Sequence, residues 1–267
     1  MFSEEQLIQA AESSLFLPTL PGRLEKLEIA GVRGHFGHGV HGGMINRVGG
    51  SRLISEQATP VVKAVQDHFK SLDQTFNWLI ASSDTPDNLE EHLQAAGSTL
   101  GWTLHGMVLS DLEKEFPIRS GVSIKRANSN DRHLVSHVYH LGFPIDDPAA
   151  SDLYADLMAI PTMVHYLVYL DGVNEPVGAT SMFYVPEYNA VILESSALLE
   201  AYRGLSIYKS MIAQRLSDAR DDGVKLAVVQ ANVASSAPAL YELGFVPKTV
   251  IKSYRFWKNK DNAAAKE

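Results

Sequence analysis

Val191-Ile192-Leu193-Glu194-Ser195-Ser196-Ala197-Leu198-Leu199, leading into Tyr202-Arg203-Gly204-Leu205-Ser206-Ile207-Tyr208, is the stretch on which the fold turns. The apolar run reads as a strand and the basic-glycine turn as the opening of a helix. A second apolar run follows, and the unit closes on Leu240-Tyr241-Glu242-Leu243-Gly244-Phe245. A helix opened this way presents backbone N–H groups that have no intrahelical partner, with the helix dipole behind them. Such a turn suits an anion, and a pyrophosphate fits there.

This order of pieces resembles the GNAT superfamily of acyl-CoA-dependent N-acetyltransferases, whose signature turn reads Arg/Gln-x-x-Gly-x-Gly/Ala between a strand and a long helix. Arg203 holds the first position. Ser206 stands where the first glycine belongs and Tyr208 where the second small residue belongs. The donors are backbone groups and survive both changes, while Ser206 restricts the backbone and Tyr208 adds bulk beside the phosphates. The resemblance implies acetyl-CoA as cosubstrate, its pyrophosphate held by Arg203, Gly204, Leu205, Ser206, Ile207 and Tyr208. Leu198 and Leu199 would pair their backbone groups with the pantetheine amides, and Asn232 would contact the pantetheine arm.

Composition bounds the alternatives. A chain of 267 residues with a 45% hydrophobic share can hold two domains of unequal size. The absence of cysteine excludes a disulfide framework, a thiolate metal site and a sulfur nucleophile. A formal charge of −8 argues against nucleic-acid or anionic-membrane binding by net attraction. The acidic start, Met1-Phe2-Ser3-Glu4-Glu5, lacks a secretory signal, and no apolar run reaches membrane-spanning length, so a cytoplasmic protein is expected.

Periodicity gives a helix near Glu4–Ser14, an extended segment from Leu24 to Val32 and a glycine- and histidine-rich loop from Gly31 to Gly43. After these come a strand over Gly43–Val48, a helix from Ser55 to about Ser71 and a strand over Asn77–Ala81. A short helix to Ala96-Gly97 and a strand through Trp102 to Leu109 complete this half. Its order repeats that of the C-terminal half, as a duplicated domain would. It lacks the Arg-Gly turn and carries Gln94 where a candidate acid would align, so it reads as a degenerate GNAT-like half. The expected division is 1–116 for that half, 121–257 for the GNAT acetyltransferase domain and 258–267 for a polar tail. In the second domain Val122–Arg126 is a strand, helices follow through Leu141 and over Asp152–Ala159, and Tyr166–Leu170 and Pro176–Phe183 flank a hairpin turn. The fold class is α/β, a mixed twisted sheet flanked by helices, in tandem.

Acetyl transfer from a thioester to an amine needs a neutral amine, an oxyanion donor and a proton for the departing thiolate. By resemblance Tyr241 is the candidate acid; it precedes Gly244 by three residues, one fewer than in the family. One residue of helix is about 100° of rotation, so the alternative is that Tyr241 packs and anchors its helix. Asn232 has the alternative of a plain polar loop residue. Glu194 is the candidate base, placed by period-two alternation on one face with Ile192, Ser196 and Leu198; a structural anchor is the alternative. Glu187 is the weaker carboxylate. Asp146, Asp147, Asp152 and Asp156 crowd the expected acceptor side, where they would favour a cationic amine or simply cap helices. His35, His38 and His41 recur among glycines and could ligate a metal, but a surface loop or a wall of the acceptor cleft is the preferred reading and no metal is expected. The acceptor is a small-molecule or peptide amine; the alternatives are a longer acyl-CoA donor, or a non-catalytic acyl-CoA-binding or regulatory module. Oligomeric state stays open.

Overall fold

The structure is a computed structural model and describes residues 2–143 and 147–256. Asp146 and the tail 258–267 lie outside the described residues. The chain forms two compact units, one of residues 2–14 with 106–248, the other of residues 15–105 with 249–256.

The first unit begins with α1 (Glu4–Ser13), which Ser3 and Gln6 close with a reciprocal capping box. It continues with β6 (Val122–Arg126), α4 (Arg132–Gly142), α5 (Pro148–Asp156), β7 (Met163–Leu170), β8 (Gly178–Val185), β9 (Ala190–Leu198), α6 (Ile207–Asp221), β10 (Leu226–Asn232) and α7 (Ala237–Glu242). Strands β6, β7, β8 and β9 pair antiparallel in sequence order, and β10 adds to β9 in parallel. That parallel step needs a crossover, which α6 supplies. Met182, Val191, Leu193, Ile212, Leu216, Val229, Leu240 and Phe245 form the core between sheet and helices. Helix α5 starts at Pro148, ahead of the expected Asp152, because Asp147 caps it and the proline suits a first turn.

The second unit contains β1 (Leu24–Lys26), β2 (Arg33–Gly37), β3 (Arg47–Gly49), α2 (Ser55–Ser71), β4 (Phe76–Ile80) and α3 (Leu89–Ala95). Strands β3 and β4 are parallel with α2 between them, so β3-α2-β4-α3 repeats the order β9-α6-β10-α7. Its core gathers Val48, Val62, Val65, Phe69, Phe76, Trp78, Leu93 and Tyr254.

The last strand of each repeat, β5 (Thr99–Leu109) and β11 (Val246–Phe256), contributes residues to both units. Within the second unit β11 pairs antiparallel with β4 through Lys252–Phe256. The break read from sequence at Leu112–Gly121 follows β5. The contact-defined units change after His105 within β5 and after Lys248 within β11, and α1 belongs to the first unit.

The histidine-rich stretch departs from the expected loop. Residues 33–37 form β2, paired on one side with β1 and on the other with β3. Gly34 is there for close approach, since a Cβ would stand 2.6 Å from the Arg47 carbonyl oxygen. His35 is buried and its Nε2 accepts from the Leu17 N–H at 3.1 Å. Burial and the neighbouring Arg47 charge lower its pKa to about 3. His38 lies 3.7 Å from Glu25, and His41 contacts the Asp73 carbonyl at 3.1 Å. The three imidazoles thus go to three separate partners. The strand expected over Gly43–Val48 is confined to Arg47–Gly49. Among the described residues no helix is long and apolar enough to cross a membrane.

Candidate functional site

Strands β9 and β10 pair only over Ala190–Ile192 and Leu226–Val228, yet run on to Leu198 and Asn232. Beyond the ladder both strands continue without pairing to each other. The turn after β9 is exposed from Arg203 to Ser206 and opens the fifteen-residue α6. Ser206 takes the left-handed conformation, φ 58° and ψ 13°, and makes no side-chain cap bond, so it occupies the geometry a glycine would supply. Gly204, at φ 76°, has nothing within 4 Å of where a Cβ would stand. The result is an open helix N-terminus fit for an anion.

The side chains around this turn are placed differently from their sequence reading. Arg203 donates through Nε to the Leu198 carbonyl at 3.2 Å and through Nη2 to the Gly142 carbonyl at 2.8 Å, tying β9 to the end of α4. Tyr208 is partly buried against the core, its hydroxyl bonded to Ser236, so its bulk turns inward from the turn. Burial raises its pKa, and the Arg215 charge opposes the rise. Ile207 is buried. The Leu205 carbonyl accepts from Arg119 Nη1 at 2.9 Å, and the Arg119 N–H donates to Ser210 Oγ at 3.0 Å. This second cation beside the turn comes from the segment that reads as a linker, where sequence carries no signal for it.

The Leu199 N–H donates to the Val177 carbonyl at 3.0 Å, and Leu198 pairs with Gly178 in β8. Asn232 shapes its own turn: Oδ1 accepts from the Ala234 N–H at 2.9 Å and its N–H donates to Ser236 Oγ at 2.9 Å. Tyr241 is 46% exposed on α7, beside the fully buried Leu240. Asp147 caps α5, while Asp152 accepts from Ser136 at 2.8 Å and Asp156 from Arg132 at 2.6 Å. Glu187 sits in an exposed turn.

Glu194 lies in a β-bulge. Thr180 pairs with Ser196 and Met182 with Leu193, so Glu194 and Ser195 together oppose Ser181. Paired residues share a face, and the extra residue therefore carries Ser196 and Leu198 to the side of Leu193. This corrects the alternation that grouped them with Ile192. Thr180 Oγ1 donates to the Ser195 carbonyl at 2.8 Å, and Arg215 from α6 reaches the carbonyls of Ser181 and Glu194. Glu194 interacts electrostatically with Arg215 and with Tyr139 of α4. Tyr139 is fully buried, with its ring 6.4 Å from that of His165, which burial lowers to about 4. Sequence reading missed Arg215, although its row Ile207, Met211, Arg215, Ala219 places an arginine at a core-facing helical position.

Residues 133–245 match the acetyltransferase (GNAT) family. Solved structures share the fold over nearly the whole chain. A GCN5-related N-acetyltransferase from Kribbella flavida superposes with TM-score 0.65 at 14% identity, covering 96% of this chain and 95% of its own. A GCN5-related N-acetyltransferase from Sphaerobacter thermophilus gives 0.62 at 14%, over 87% and 75%. A tandem GNAT protein from the clavulanic acid biosynthesis pathway gives 0.58 at 12%, over 95% and 93%. No curated protein sequence matches the chain significantly. The segment 133–245 is thus similar to the GNAT acetyltransferase family, and the chain shares the fold of these proteins over nearly its whole length.

Proposed function

We propose that the chain is an acetyl-CoA-dependent N-acetyltransferase that transfers the acetyl group directly to an amine of a small molecule or peptide. The observation that carries this reading is the left-handed, exposed turn that opens α6 after β9, a strand whose parallel ladder with β10 ends at Ile192. On this reading the pyrophosphate meets the backbone N–H groups of the turn from Leu205 to Tyr208, and the pantetheine arm lies along β9 at Leu198 and Leu199. Acetyl-CoA supplies the activated acyl group. Arg203 supports the turn through carbonyls, Glu194 takes the amine proton directly or through water, and Tyr241 donates to the departing thiolate. Positioning supplies much of the rate, because direct transfer needs no covalent enzyme intermediate. On this reading the domain 121–257 works without a metal, the N-terminal repeat is a degenerate half without catalysis, and the protein acts in the cytoplasm.

Calorimetric titration with acetyl-CoA, with CoA as control, tests the proposal first. Saturable binding at one site per chain, followed by amine-dependent CoA release, is the expected result. Absence of binding up to millimolar concentration overturns it. A second reading, a non-catalytic acyl-CoA-binding module, is favoured by the exposure of Tyr241 and the serine at position 206. Binding without CoA release for any amine tested would establish that alternative.

A further inference from the structure

Arg215 stands at the middle of α6 with 1% of its surface exposed. Its Nε donates to the Met211 carbonyl at 3.1 Å. Nη1 donates to the Ser181 carbonyl at 2.9 Å and, more distantly, to the Glu194 carbonyl at 3.5 Å, while Nη2 donates to Ser196 Oγ at 3.1 Å. These acceptors are uncharged, and three of them bracket the β8–β9 bulge. A bulge strips strand carbonyls of their ladder partners, and a rigid fork of donors can serve two strands at once. Hydrogen bonding alone does not call for a charge, because an amide side chain also donates to carbonyls. A buried cation is costly unless negative charge lies close. The groups interacting electrostatically with Arg215 are Tyr208 of its own helix, Tyr139 of α4, Tyr166 of β7 and Glu194 of β9; of these, Glu194 alone is a carboxylate.

We propose that Arg215 is a positioning residue for Glu194: its fork fixes the bulge that aims the carboxylate, and its charge keeps that carboxylate ionised to receive the amine proton. The functional half of this inference rests on reading Glu194 as the base. Proton bookkeeping is simple, since Glu194 accepts one proton from the ammonium form of the acceptor and the neutral amine then attacks the thioester carbonyl. Glu194 interacts electrostatically with Tyr139 from α4 and Arg215 from α6; Tyr208 and Tyr166 interact with the guanidinium, and His165 lies beside Tyr139.

The test is a carbon-13 NMR titration of glutamate-labelled full-length protein, with the Glu194 signal assigned by its loss in Glu194→Gln. Arg215→Met removes both charge and fork; Arg215→Gln removes the charge while keeping donors for the carbonyls, and serves if the Met variant does not fold. In either neutral variant the Glu194 midpoint is expected to rise by roughly one pH unit or more. In Arg215→Lys it should stay near the wild-type value while kcat falls about tenfold at little-changed KM for acetyl-CoA. An unchanged midpoint in the folded neutral variants overturns the proposal, because a purely structural clamp would not move it. Failure of the transferase reading shows separately, as wild-type protein that releases no CoA, and leaves the titration readable.

Discussion

Arg203 Nη2 donates to the Gly142 carbonyl at 2.8 Å, so the residue that begins the signature turn is fastened to the end of α4. Its Nε reaches the Leu198 carbonyl at the same time. The guanidinium therefore stiffens the frame behind the turn; on the proposed function the phosphate contacts are left to backbone groups. Arg203→Ala should lower stability by about 1 kcal/mol in denaturant melts and weaken acetyl-CoA binding. A variant of wild-type stability with weakened binding would show instead that the guanidinium leaves its carbonyls to contact the phosphates.

Ser206 holds a left-handed backbone at φ 58° that costs a side-chain-bearing residue about 1–2 kcal/mol. Glycine removes that strain but adds freedom to the unfolded chain. Ser206→Gly is expected to stabilise the protein by up to about 1 kcal/mol and to keep acetyl-CoA binding, whereas Ser206→Val should destabilise it. Thermal melts and calorimetry on the pair decide this.

Tyr241 is 46% exposed, whereas Tyr208 turns its hydroxyl inward to Ser236. With Tyr241 as the acid, Tyr241→Phe should reduce turnover roughly a hundredfold while acetyl-CoA still binds. Turnover retained in Tyr241→Phe assigns that side chain to packing and moves the search for the acid to Tyr208→Phe.

His35 and His165 are buried in separate units, with imidazoles lowered to about 3 and about 4. Both lie below the unfolded value near 6.5, so the unfolded chain binds more protons as acid is added. Stability is then full above about pH 6.5 and falls toward pH 4, with each imidazole costing about 2 kcal/mol by pH 5. Urea melts at pH 5, 6 and 7 should show this slope for the wild type, and His165→Phe should flatten it for the first unit. A slope unchanged in that variant would falsify the assignment to His165.

Much of the architecture was legible in the sequence because it rests on local signals. The run from Val191 to Leu198, the turn at Arg203-Gly204 and the apolar row of α6 each declare their element through period and punctuation. The repeat of strand, helix, strand and helix announced the tandem fold. Tertiary structure alone decided what those residues touch. The bulge at Glu194 and Ser195 arises from pairing with β8, and it reverses the face of Ser196 and Leu198 in a way no count along one strand can show. Arg203 goes to carbonyls and Tyr208 goes inward because α4 and α7 present partners distant in sequence. Residues 33–37 become a strand because β1 and β3 supply hydrogen bonds from both sides, which outweighs the flexibility of their glycines. Local propensity fixes the elements, while burial and long-range hydrogen bonding decide which side chains are left to do chemistry.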